Sequence, residues 1–303
     1  MTDALPRLSR PRRDFVLRES RDAAALAAIL GRDRLHAAYA LAQLEPDAFP
    51  AARFWLCEGG SAVGTGAERG PSLVCHSRGG LGAATYVMGP ADGVARILSL
   101  HPGPYQTFIT ARPSHLAALE SAYRLRNPRT MLRMHVTRDR FRPVDGPTFR
   151  LRPTHVGVLN QLYRSDGGTG SYGPRHLAEG CYHGVRDGRR LLAVAGTHSV
   201  GPGAGIAVVG NVYTHPSARG RGLATRVTSA VTAALLSDQR DVVLSVEVTN
   251  APALRAYRRL GYRAAGEIVE AGGVRRAGAL STALRRRLAA YRGREEGVEI
   301  VPG

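Results

Sequence analysis

The chain has 303 residues, with 42 basic side chains against 24 acidic ones and a formal net charge of +18. Every basic side chain is an arginine, spread as +7 over residues 1–147 and +11 over 148–303 with no arginine–aromatic platform, so nucleic acid is a disfavoured partner. The sequence has no apolar run of the roughly eighteen residues that span a membrane, no apolar stretch among its first twenty residues, and three scattered cysteines (Cys57, Cys75, Cys181); it reads as a cytoplasmic globular protein without disulfides or a bound metal.

The first element is a short strand, FVLRES at 15–20, followed by an alanine-rich helix at 21–30. The middle of this half, around 81–99, offers no glycine-rich loop ahead of its helix. A strand at 105–111, a helix at 113–125 and a strand at 130–136 close it. The polar stretch 138–147, with two prolines and a glycine, is the expected linker. At 149–154 the sequence FRLRPT echoes the opening strand 134 residues on, followed again by a helix at 155–164. A domain-sized echo implies two related units: 1–140, then 148–290, with a tail at 291–303.

The second unit reads more clearly. Strands at 181–185 and 190–200 flank the turn pair Asp187-Gly188, and a β-branched strand runs over 206–215. A helix over 222–238, a strand over 241–248 and a helix over 251–261 stopped by Gly261 follow. The expected fold is a mixed α/β sheet flanked by helices. The segment 164–180, rich in glycine, is either a lid carrying Tyr172 and Arg175 or a plain connector. At the C-terminus Leu280, Leu284 and Leu288 repeat at helical spacing, the pattern of a packed terminal helix.

The chemistry concentrates where the 206–215 strand meets the next helix. Arg219-Gly220-Arg221-Gly222-Leu223-Ala224 opens that helix, and two glycines there let several N–H groups converge on one anion. The helix end adds free donors and its positive dipole. The loop fits a diphosphate, yet it is neither a Walker loop nor a dinucleotide fingerprint. Farther on, a strand ends at Asn250 and Tyr257 follows seven residues later, ahead of Gly261-Tyr262.

These two motifs resemble those of the GNAT superfamily of acyl-CoA-dependent N-acyltransferases, through Arg219, Gly222 and Ala224 and through Leu244, Val246, Asn250, Tyr257 and Gly261-Tyr262. The resemblance covers about 150–290. The layout is similar to tandem relatives in which a degenerate GNAT-like copy precedes the catalytic one. It implies an enzyme passing an acetyl (acyl) group from acetyl-CoA to a primary amine on a small molecule or peptide, by direct attack. Val212, Tyr213 and Thr214 would face the pantetheine. Residues Gly220, Arg221, Gly222, Leu223, Ala224 and Thr225 would hold the diphosphate, with Arg219 and Arg226 near its charge and Asn250 also on the cofactor side. Tyr257 is either the acid that protonates the departing thiolate or a core tyrosine. Glu247 is either a base or a solvated carboxylate; it lies two residues beyond the position where some relatives carry theirs, which Ser245 occupies. His198 either faces the cleft as a catalytic group or is a satisfied histidine, His215 reads as a cap, and Asn211 marks either a bulge or a polar strand edge. The rival reading is a non-catalytic CoA-binding or regulatory protein.

Overall fold

The computed structural model describes residues 15–59, 70–79, 82–167 and 170–296. Each half runs through the same succession of elements. The first comprises β1 (Val16–Ser20), α1 (Ala23–Gly31), α2 (Ala38–Leu41), β2 (Arg53–Glu58), β3 (Ser72–Gly79), β4 (Gly82–Met88), α3 (Ala91–Leu100), β5 (Gln106–Ala111), α4 (Leu116–Ala122) and β6 (Tyr123–Val136). The second comprises β7 (Phe149–Arg150), α5 (Val156–Arg164), α6 (Pro174–Glu179), β8 (His183–Asp187), β9 (Arg190–Gly201), β10 (Ile206–Thr214), α7 (Leu223–Leu236), β11 (Asp241–Glu247), α8 (Ala251–Arg259) and β12 (Arg263–Arg275). A last helix, α9 (Ala279–Glu296), follows.

The strands join in one 12-stranded sheet in the order β1-β2-β3-β4-β5-β12-β6-β11-β10-β9-β8-β7. The halves exchange their final strands. β12 pairs with β5 of the first half, β6 pairs with β11 of the second, and β6 and β12 pair with each other in the middle. Among the described strands only β4 with β5 and β10 with β11 run parallel, as expected where a helix crosses over between neighbouring strands. The helix expected to reach residue 125 stops at Ala122, and Tyr123 already pairs with Arg275. The gain of a long central ladder overrides the helical pattern there.

Packing follows the exchange. α1 and α2 bury Leu26, Leu30, Ala38 and Leu41 against their own sheet and also against Ile206, Val208 and Val243 of the second half. Arg34 locks this contact by pairing with Asp241 at 2.7 Å, and His135 bonds the other oxygen of the same carboxylate at 2.7 Å. The opposite face of the second half is covered by α7 and α8 through Val227, Val231, Tyr257 and Leu260. The linker is anchored: Phe141 and Val144 pack on that core, and the Val144 amide donates to Ser229 Oγ. α9 packs through buried Thr282 and through Arg286, which donates to the Leu100 carbonyl. That turns the leucine stripe outward, with Leu280 89%, Leu284 59% and Leu288 48% exposed, so the expected packing face is the solvent face.

Candidate active site

β10 and β11 pair from Ile206–Asp241 through Val209–Leu244 and then part. The cause is a bulge in β10: Gly210 lies opposite Gly196 but Tyr213 opposite Val194, an extra residue that swings the strand end away from β11. Asn211 takes up the strain with φ +55°, a conformation asparagine tolerates better than most residues. Three tyrosines hold the bulge. Tyr163 donates to the Asn211 carbonyl at 2.5 Å, Tyr172 donates to its Oδ1 at 2.7 Å, and its Nδ2 donates to Tyr182 at 2.9 Å. A V-shaped opening results, with 210–214 on one edge and 245–247 on the other.

At one end of the opening lies the start of α7. Gly220 and Gly222 have φ of +78° and +72°, and a Cβ at either would meet nothing within 4 Å. The first helical bond runs from the Arg226 amide to the Gly222 carbonyl. Among the described residues, the amides of Gly220, Arg221, Gly222, Leu223, Ala224 and Thr225 find no protein acceptor. This is an open row of donors at a helix N-terminus, the physical requirement for an anion cradle. The Leu223 side chain is buried in the core, so only its backbone belongs to the cradle. Arg221 is exposed beside it, whereas Arg219 pairs with Asp166 at 2.6 Å and lies over the Tyr213 ring. Arg219 thereby ties the end of α5 to the loop. Val212, Tyr213 and Thr214 line the strand edge half-buried, and His215 caps the next turn by accepting from the Ser217 amide.

Across the opening, Tyr257 is 7% exposed in a cluster with Val212, Leu223 and Val246, its ring 6.1 Å from Tyr262. Burial pushes its phenol up to about 12, and its hydroxyl donates to no described protein group. Asn250 is the N-cap of α8, accepting from the Ala253 amide at 3.2 Å. Glu247 faces Arg129 at 3.7 Å with its side chain 41% exposed.

The other face of the opening carries groups that come from both halves. His198 on β9 is exposed to solvent, stacked near the Tyr39 ring and bonded to Asn211. Its tautomer can be read. Asn211 Nδ2 donates to the Thr197 carbonyl at 3.3 Å, so Oδ1 faces His198 at 3.0 Å and Nε2 must carry the proton. Nδ1 is then an acceptor, and the Tyr39 hydroxyl of α2 donates to it at 2.9 Å. Burial is the main cause lowering the His198 imidazole below its ordinary range, which keeps it neutral. Gly210 makes room for the ring; a Cβ there would lie 2.4 Å from Nε2. Arg133, on β6, lies 5.2 Å over the Tyr39 ring and donates to Ser245 Oγ at 3.0 Å. Glu270, on β12, is held up in pKa chiefly by burial and has one buried oxygen without a hydrogen-bond partner among the described residues. Tyr39, Arg133 and Glu270 had no sequence signal, because the strand exchange and the α1–α2 contact bring them to a site whose motifs lie elsewhere.

Of the lid candidates, Tyr172 reaches the bulge and Arg175 turns outward to Glu179; Gly168 and Thr169 lie outside the described residues. Among its described residues the first half has no comparable cradle. β4 leads through Gly89 and Pro90 directly into α3, where the Asp92 carboxylate bonds the Gly93 amide. His115 bonds the Gly89 carbonyl at 2.7 Å behind that turn. Among the described residues no cluster of histidine, cysteine and carboxylate side chains has the makings of a metal site, and no helix is long and apolar enough to cross a membrane.

Residues 184–269 match the family described as FR47-like protein. A search of curated proteins finds no match. Among solved structures, a GCN5-related N-acetyltransferase from Sphaerobacter thermophilus is 18% identical with a TM-score of 0.51, over 88% of this chain and 98% of that one. A Drosophila protein is 15% identical with a TM-score of 0.60, over 86% and 98% respectively. The chain thus has the fold of the GCN5-related N-acetyltransferases in two GNAT-like copies, with the FR47-like segment on the second.

Proposed function

We propose that the protein is an N-acyltransferase that moves an acyl group, with acetyl as the first choice, from acyl-CoA to a primary amine at the opening between β10 and β11. The observation that carries this reading is the row of unbonded amides at residues 220–225, set at the mouth of a cleft between two parting strands. That row suits a diphosphate, and the open space beside Gly220 and Gly222 has room for one. Acyl-CoA supplies the activated carbonyl; the protein aligns it with the amine, which is worth much of the barrier in a two-substrate reaction. Backbone groups of Val212, Tyr213 and Thr214 line the donor edge. Tyr257, kept protonated by burial, holds its proton for the thiolate that leaves.

The acceptor side is the face bearing His198. With Nε2–H fixed on Asn211, Nδ1 is free to take a proton relayed through the Tyr39 hydroxyl. Glu247, paired with Arg129 at the strand end, is the poorer base. The test is thiol release from acetyl-CoA over a panel of primary amines, with Tyr257→Phe as the variant. Turnover should fall about a hundredfold while CoA still binds. If no amine supports release above hydrolysis although CoA binds, the protein is a CoA-binding module and the catalytic reading fails.

A further inference from the structure

A second cavity lies in the first half, on the sheet face that carries α3 and α9, with a volume of about 350 Å3. Its floor comes from β2 and β3, where Arg53 and His76 are register partners and Trp55 and Arg78 stand on the same face. Its rim comes from the loop before β5, from Arg275 at the end of β12 and from Arg286 on α9.

The charge there is one-sided. Arg53 is paired with Glu19 at 2.8 Å. Among the described residues Arg78, Arg275 and Arg286 form no ion pair, and no carboxylate lines the cavity. Arg275 donates to the Gly103 carbonyl at 3.0 Å and Arg286 to the Leu100 carbonyl at 2.7 Å. Carbonyl partners orient a guanidinium without neutralising it, and the Arg275 Nε is buried with no acceptor among the described residues. Burial, with the charges of Arg286 and His76 behind it, pushes the His101 imidazole down to about 3, so no proton adds to the crowd of cations.

The walls are also fixed in advance. Trp55 and His101 stack at 3.4 Å with 14° between their planes. His76 is held by Thr85 at 3.0 Å and by the His101 carbonyl at 2.9 Å. Gly103, at φ +69°, sits so close to the His76 ring that a Cβ would lie 2.4 Å from it. A rigid cavity of this volume, ringed by uncompensated guanidinium forks, is the arrangement that selects phosphate oxygens over a lone halide.

We propose that this cavity is a second binding site, distinct from the acyl donor's, for a small phosphate-bearing anion. β3 and β10 are six strands apart in the sheet, roughly 30 Å along it, so one CoA molecule does not serve both places.

Trp55 is the only tryptophan of the chain, so its emission reports this cavity alone. The full-length protein is titrated at low ionic strength with inorganic pyrophosphate, with ADP and with citrate. Pyrophosphate and ADP should change the emission saturably, and Arg286→Gln or Arg275→Gln should weaken the effect about tenfold. Arg78→Gln, at the exposed end of β3, gives the same reading without touching a buried contact. A tighter response to ADP assigns a nucleotide, and equal responses assign the diphosphate group alone. No saturable change, an equal response in the arginine variants, or citrate matching pyrophosphate would overturn the proposal.

Discussion

At the scale of single residues, the site depends on proton positions that hydrogen-bond partners decide. The carbonyl of Thr197 fixes which end of the Asn211 amide is nitrogen, and that fixes the His198 tautomer. Because burial holds this imidazole below 6.5, log kcat/KM should rise with pH through a value under 6.5 and then level off on that limb. His198→Gln should abolish the rising limb, and Tyr39→Phe should lower the plateau; a pH profile unchanged in both variants contradicts the role. The sequence marked Tyr257 and the glycine pair by spacing and offered His198 as one of two alternatives, because all of them lie within one half. Tyr39 and Glu270 were invisible, since no local pattern reveals that a helix of one half and the last strand of the other share a face.

Among the elements, α8 and α7 show one residue type serving packing and another serving chemistry. Asn250 matches a cofactor-side position by motif, yet its side chain caps α8. Asn250→Ala should therefore cost about 1 kcal/mol in urea unfolding, as N-cap losses do. A stability equal to wild type would mean the cap contributes nothing. α7 begins well because Gly222 adopts the left-handed conformation that the turn needs, a requirement the glycine in the sequence already announced. The end of α4 was harder to read. Nothing in the run from Ser114 to Leu125 marks Tyr123 as the first residue of a 14-residue strand, because its partner lies 152 residues away on β12. The leucines of α9 misled for a related reason: amphipathic spacing tells which side is apolar, but Thr282 is buried on the other side and Arg286 there donates to the Leu100 carbonyl.

For the whole molecule, the exchanged strands set both copies in one sheet in which each lacks an inner strand without the other. The α1–α2 contact adds a charged clasp at Asp241, whose carboxyl is held below its ordinary range by the His135 hydrogen bond first and by Arg34 as well. A depressed folded-state value means this stabilisation is complete above the unfolded carboxylate value near 3.9 and fades as pH falls through the folded value. Acid titration followed by near-ultraviolet dichroism should show a loss of packing below about pH 4 that Asp241→Asn already displays in part at neutral pH. An Asp241→Asn variant with wild-type acid tolerance would contradict the clasp. The tandem layout was legible from the echo of 15–20 in 149–154, but the exchange was not, since an echo reports similarity and carries no record of pairing.

If acyl-CoA is held at the start of α7, calorimetric titration of CoA into the wild type and Gly222→Val will register it. At φ +72° the valine is strained and its side chain fills the open space beside the unbonded amides. Saturable binding by the wild type, weakened at least about tenfold in a variant that still folds, is the predicted result. Equal affinity in the two proteins, or no CoA binding by the wild type, would contradict it.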